Sequence, residues 1–198
     1  MQLLRHTEEL VAARPGRLRA AWRAFHAPVA GVSRRMQLVA CAVPFTVLPA
    51  GIWRLPVAFD ERIGLGERAY VVFLSVLSEV LACTAFGLIA RWGEVFPRWI
   101  PLLGGRRVPT KAAVIPAAIG ATVLTLLFSL LFLVSVIRGT TIRGDVLSAD
   151  FPSRGGGWES AWFFFCYAPL ILWGPLLAVL TIAYGKRRRA AGNVPAAA

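Results

Sequence analysis

The residue best suited to chemistry in this 198-residue chain is Glu79, the one ionisable residue well inside any of its long apolar stretches. A charged carboxylate near the centre of a bilayer is costly unless it is paired, hydrated or protonated. An acid in this position indicates proton handling, ion passage or ligand binding, and in an enzyme it can act as a general acid. A structural alternative stays open, because a protonated Glu79 can donate a hydrogen bond across a helix interface to Thr122, Thr125 or Ser129.

Several polar and aromatic residues can share a ligand pocket with Glu79. Two serines on the same apolar stretch, four residues and one residue before Glu79, lie with it on one side of a helix. The fourth apolar stretch is the most aromatic, and it can wall a cavity for a lipid or another hydrophobic ligand with Glu79 at its base. Helix packing together with an aromatic belt at the membrane surface is the alternative explanation of these aromatic residues. The predicted ligand-binding residues are Ser75, Ser78, Thr125, Tyr167 and Trp173.

No group of residues predicts a metal ion, a cofactor or an activated nucleophile. Cys41, Cys83 and Cys166 all fall inside apolar stretches, and none belongs to a Cys-x-x-Cys pair. The two histidines, His6 and His26, both precede the first apolar stretch. The glycines lack the spacing of a phosphate-binding loop. The predicted site therefore contains no metal and no cofactor.

Four apolar stretches position these residues, at about 36–59, 69–90, 112–137 and 161–184. The shortest has 22 residues, and a helix needs about 20 to cross roughly 30 Å of hydrocarbon. A hydrophobic fraction of 57% and a mean hydropathy of +0.64 are too high for a soluble domain of this size. The pattern predicts an all-α membrane protein, a four-transmembrane-helix bundle.

Positive charge alternates between the five polar segments that these stretches separate. The first, third and fifth segments hold 16 of the 22 Lys and Arg residues and only three acids, whereas acids offset the basic residues in the second and fourth. Because basic residues resist translocation, both termini are predicted in the cytoplasm. This placement of the charge argues against a nucleic-acid partner. The Arg-, Ala-, Gly- and Pro-rich composition is typical of a GC-rich bacterial genome, which makes a bacterial plasma membrane the predicted location.

The chain divides into a basic N-terminal segment 1–35, a membrane domain 36–184 and a basic tail 185–198. Within the first segment the apolar residues Leu18, Trp22 and Phe25 share one helix face, which is typical of an amphipathic helix lying at the headgroup interface. A mobile basic tail is the alternative. The predicted headgroup-binding residues are Arg17, Arg19, Arg23, Arg106, Arg107, Arg187, Arg188 and Arg189.

Small residues on the second and third stretches predict that these two helices pack against each other. Alanine, threonine and serine recur every four residues from Ala113 to Ser129, and the second stretch carries Ser75, Ser78 and Ala82 on one side. Small side chains let helix backbones approach closely. We therefore expect an antiparallel contact between the second and third helices.

Residues 91–109, with the sequence RWGEVFPRWIPLLGGRRVP, resemble the central cytoplasmic loop of small actinobacterial integral membrane proteins. Residues 172–178, LWGPLLA, followed by Thr181, Tyr184 and an arginine run, resemble the last span of the same group. The resemblance reaches from about Glu67 to Arg189. It implies a four-span fold and brings no catalytic residues with it.

Three functions fit these observations. The leading hypothesis is a non-enzymatic accessory protein that binds membrane lipids or a partner membrane protein. The second is a membrane-embedded enzyme that modifies or isomerises a lipid, with Glu79 as the general acid. The third is a proton-coupled transporter that forms as a homo-oligomer, since four spans alone make a small pathway.

Overall fold

The computed structural model describes residue 29 and residues 31–95, 104–134, 137 and 155–192. The predicted N-terminal amphipathic helix with Arg17, Arg19 and Arg23 lies outside these residues, as does the end of the basic tail. The described residues are helical, with no strand among them. The helices are α1 (Arg34–Arg54), α2 (Leu65–Cys83), α3 (Thr110–Leu133), α4 (Gly157–Tyr167) and α5 (Trp173–Gly192). Short 3₁₀ turns extend α1 over Leu55–Phe59 and α2 over Thr84–Leu88, and another joins α4 to α5 over Ala168–Leu172.

Four helical segments are long and apolar enough to cross a membrane, which confirms the predicted number. They run over Arg34–Phe59, Leu65–Leu88, Thr110–Leu133 and Gly157–Ala191. The fourth segment extends beyond the predicted end at 184. Its last turns carry the lysine and arginines, which are good helix formers and interact favourably with the C-terminal end of a helix.

The α-helix of the fourth segment is interrupted near a proline. α4 ends at Tyr167, and the 3₁₀ turn that follows has Pro169 at its start. Proline has no N–H to donate to the preceding turn, which weakens the α-helix at this point. In the first segment α1 continues past both Pro44 and Pro49.

The helices pack in the order α2, α1, α5, α3. The most extensive contact joins α3 to α5, while α1 contacts both α2 and α5. Among the described residues α2 and α3 have at most a marginal contact, so the expected pairing of the second and third spans is wrong.

The small residues of α3 do form a packing surface, but their partner is α5. A Cβ atom on Gly174 of α5 would lie 2.7 Å from the carbonyl oxygen of Ala121 and 2.5 Å from the backbone nitrogen of Thr125. The two backbones approach this closely because Gly174 has no side chain. On α2 the small residue Ala82 is fully buried and belongs to the same core as Ala40 and Val43 of α1.

Hydrogen bonds join residues near the helix ends in two groups. At one end the backbone N–H of Val29 donates to the carbonyl of Ile89 at 3.0 Å, and Arg187 donates to the carbonyl of Leu88 at 3.2 Å. At the other end Arg54 donates to the hydroxyl of Tyr167 at 3.3 Å. We call the first of these the basic end, because its described residues include Arg34, Arg35, Arg91, Arg106, Arg107, Lys111, Lys186, Arg187, Arg188 and Arg189.

Candidate functional site

A cleft with a volume of about 510 Å³ lies between α2 and α3. α2 packs on α1, and α3 packs on α5, so the two helices stand apart and α5 lies between them at the back. We call this cavity the cleft. The residues that shape it include Leu81, Leu88, Ala113, Gly120, Leu124 and Trp173.

The lining of the cleft is almost wholly apolar. The one hydroxyl in the lining belongs to Thr84. It donates to the carbonyl of Leu81 at 2.6 Å, so its hydrogen bond is made within its own helical segment. On α3 the lining side chains are small at Ala113, Ala117 and Gly120, and this leaves room beside the helix. A cavity with so few polar groups in its wall suits a hydrocarbon ligand.

Trp173 forms part of the back wall. It is 4% exposed, and its indole stacks on Phe128 with the ring centroids 5.9 Å apart. Its indole N–H is buried and has no hydrogen-bond acceptor among the described residues. The structure thus places Trp173, one of the predicted ligand-binding residues, in the wall of the cleft.

The loop after α2 folds back and bounds the cleft at the basic end. Trp92 and Gly93 are both lining residues, and a Cβ atom on Gly87 would lie 2.8 Å from the Trp92 ring. The returning half of the loop pairs with this segment, since the N–H of Val108 donates to the carbonyl of Glu94 at 2.8 Å. Glycine at position 87 thus lets the indole pack against the end of α2.

Glu79 does not reach the cleft. It is half-buried on α2, two residues before the lining residue Leu81. Two residues correspond to a rotation of about 200° around an α-helix, so Glu79 lies on the side of α2 away from the cleft. It has no hydrogen bond or ion pair among the described residues. Those residues also contain no group of three or more His, Cys, Asp or Glu side chains that could hold a metal ion.

The other predicted ligand-binding residues are dispersed. The hydroxyls of Ser75 and Ser78 donate to carbonyls of their own helix, those of Val71 at 2.9 Å and Leu74 at 2.7 Å. These bonds satisfy both hydroxyls without a ligand. Neither serine lines the cleft.

Thr125 and Tyr167 also lie outside the cleft. Thr125 donates to the carbonyl of Ala121 at 2.7 Å and borders a smaller groove of about 340 Å³ between α3 and α5. The Tyr167 ring stacks on Phe163 at 4.6 Å, and the Arg54 guanidinium lies 5.6 Å from its centroid. Of the five predicted residues, only Trp173 lines the cleft.

A charged cluster ties the central loop to the end of α5 beside the cleft. Arg187 donates to the Glu94 carboxylate at 2.8 Å, and an Arg188 nitrogen lies 3.8 Å from the second carboxylate oxygen. Both guanidinium groups lie over the ring of Tyr184, at 5.4 and 5.9 Å from its centroid. Tyr184 is fully buried, and its hydroxyl donates to the carbonyl of Gly93 at 3.3 Å. We call these four side chains the arginine–glutamate cluster.

This cluster changes the interpretation of the C-terminal arginines. The side chains of Arg187 and Arg188 are only 16% exposed, because they bind the Glu94 carboxylate and carbonyl groups of the loop. Arg106, Arg107 and Arg189 are exposed and stay available to headgroups. The sequence signal for the cluster is the isolated acid Glu94 in a loop that is otherwise basic.

We expect Glu94→Gln to lower the free energy of unfolding by about 1–2 kcal/mol, since a hydrogen bond to a charged group contributes about that much when partly exposed. The amide also leaves two arginine charges without a counter-charge. Chemical unfolding of the purified protein in detergent measures the change. Glu67→Gln is the control, because that acid is exposed and forms no ion pair among the described residues. An equal loss in both variants would contradict a role for the cluster.

No protein family, curated protein or solved structure matches this chain. The resemblance of residues 91–109 to the loop of small actinobacterial membrane proteins stays a prediction. The functional argument therefore rests on the cleft and on the charges around it.

Proposed function

We propose that the protein is a non-enzymatic integral membrane protein that holds an acyl chain of a membrane lipid in the cleft between α2 and α3. The observation that carries this proposal is the apolar cavity of about 510 Å³, a volume within the roughly 300–1,000 Å³ of small-molecule sites. In a bilayer this lateral opening faces hydrocarbon. A lipid chain is the ligand that such a lining recognises.

The distribution of charge supports an orientation with both termini in the cytoplasm of a bacterial cell. The described residues of the basic end carry ten Lys and Arg side chains and one acid, Glu94. The opposite end carries three arginines and four acids among the described residues. Cytoplasmic segments hold the excess of basic residues in membrane proteins. The cleft then opens toward the cytoplasmic leaflet.

The position of Glu79 favours a binding role over catalysis. A general acid must lie within reach of the reacting group, and Glu79 lies on the flank of α2 away from the cleft. Turnover of a lipid that Glu79→Gln abolishes would replace this proposal with the enzyme alternative. The transporter alternative needs an oligomer that brings several Glu79 carboxyls together.

Filling the cleft is expected to displace the lipid. A Cβ atom on Gly120 would meet only Leu177, at 3.9 Å, so the ring of Gly120→Phe can enter the cavity without striking backbone. In vesicles containing a phospholipid with a photoactivatable acyl chain, we expect labelling of the α3 and α5 peptides to fall about tenfold, or about 1.4 kcal/mol.

The matched control is Ile115→Phe, which adds a ring to the exposed face of the same helix. Its labelling should equal that of the unmodified protein. Labelling of Gly120→Phe at the unmodified level would show that lipid contacts these peptides from outside the cleft, and it would overturn the proposal.

A further inference from the structure

We infer that the cleft selects an anionic phospholipid from the cytoplasmic leaflet, with its headgroup at Arg91 and Arg107; this inference rests on the proposed function. Two observations carry it: the depth of the cleft and the uncompensated charge beside its shallow end.

The depth of the cleft matches one leaflet. Its lining on α3 runs from Ala113, near the basic end, to Leu124. These residues are eleven positions apart, which is about 16 Å along an α-helix. The hydrocarbon core of a bilayer is about 30 Å thick, so the cleft extends from one surface to about the middle. A chain anchored at the basic end fills this depth, whereas a chain from the other leaflet does not enter it.

Two basic residues without a counter-charge lie close in the loop to the lining residues at the shallow end of the cleft. Arg91 directly precedes the lining residue Trp92, and Arg107 pairs across the loop with Val95, two residues after the lining residue Gly93. Both arginines are exposed and form no ion pair among the described residues.

The nearest acid does not neutralise this rim. Glu94 is the one described acid at the basic end, and its carboxylate is already held by Arg187 at 2.8 Å. The positive charge of the rim is therefore available to a ligand. Basic residues at a membrane surface attract anionic headgroups, and an arginine binds a phosphate through two parallel hydrogen bonds.

The test uses the full chain in vesicles with two photoactivatable lipids that carry the same acyl chain, a phosphatidylglycerol and a phosphatidylcholine. We expect the anionic probe to label the α3 and α5 cleft peptides about thirtyfold more than the zwitterionic one, the scale set by two basic residues near a headgroup. Arg91→Gln with Arg107→Gln should remove most of this preference. The control is Arg34→Gln with Lys186→Gln, which removes the same charge from exposed positions at the same end.

The outcomes separate this inference from the proposed function. Equal labelling by both probes would overturn the selectivity while leaving a lipid in the cleft. If both double variants lose the preference for the anionic probe, that preference comes from the general surface charge, and this result would also overturn the inference. If neither probe labels the cleft peptides, the proposed function itself is overturned. Cross-linking of those peptides to a second protein chain would overturn it as well, and would show that a protein partner occupies the cleft.

Discussion

Gly174→Ala is expected to lower the free energy of unfolding by about 3 kcal/mol or more, at the upper end of the usual cost of overpacking. A Cβ atom at this position would lie 2.5 Å from the backbone nitrogen of Thr125 and 2.7 Å from the carbonyl oxygen of Ala121. Backbone atoms of a helix cannot rotate away as a side chain can. The methyl group therefore forces α3 and α5 apart along their most extensive contact. Chemical unfolding in detergent measures the loss.

Gly185→Ala provides the matched control on the same helix. There the new Cβ atom would lie 3.8 Å from a methyl group of Val114, which is an ordinary contact. Both changes replace glycine with alanine on the same helix, so a much larger loss at Gly174 reports the packing against α3. Equal stability of the two variants would contradict the close approach at Gly174, and with it the pairing of α3 with α5.

Trp173→Ala is expected to cost about 3–5 kcal/mol, the usual range for removing a buried aromatic side chain. The indole is 4% exposed and stacks on Phe128, so its loss removes the back wall of the cleft and the contact behind it. The free energy of unfolding in detergent again measures the effect. The cleft should also enlarge, and lipid labelling of the α5 peptide should become less dependent on the length of the acyl chain.

Trp173→Phe distinguishes the contribution of the aromatic ring to stability from that of the indole N–H. Phenylalanine keeps an aromatic ring against Phe128 and removes an indole N–H that has no acceptor among the described residues. We expect a cost below about 1.5 kcal/mol, as for other apolar swaps of similar shape. A loss as large as that of Trp173→Ala would mean that the N–H is bonded in the folded protein and that the stack contributes little.

The number of spans and the break in the last one follow from local properties of the chain. An apolar stretch of sufficient length predicts a spanning helix wherever it occurs, and the missing N–H of Pro169 acts on the turn that contains it. Of the small residues from Ala113 to Ser129, Ala121 and Thr125 do lie at a close helix contact, whereas Ala113 and Ala117 line the cleft. These features need no knowledge of the rest of the fold.

The choice of helix partner could not be predicted in the same way. A row of small residues can pack against any helix that has a small residue at the same level. Gly174 is a single glycine within an aromatic segment, so the sequence did not mark α5 as that helix. Glu94 and Arg187 are 93 residues apart, so nothing in the local pattern joins them. The cleft is a consequence of which helices pair, and for that reason Glu79 appeared from the sequence to lie in a pocket that the structure places elsewhere.

The central claim is that α2 and α3 stand apart around a lipid chain, and a structure of the protein in a lipid bilayer tests it most directly. The account predicts an elongated non-protein density between α2 and α3, running along Trp173 from the level of Leu124 to that of Ala113. It also predicts a headgroup density beside Arg91 and Arg107. Direct packing of α2 on α3, with the cleft closed and no density between them, would contradict it.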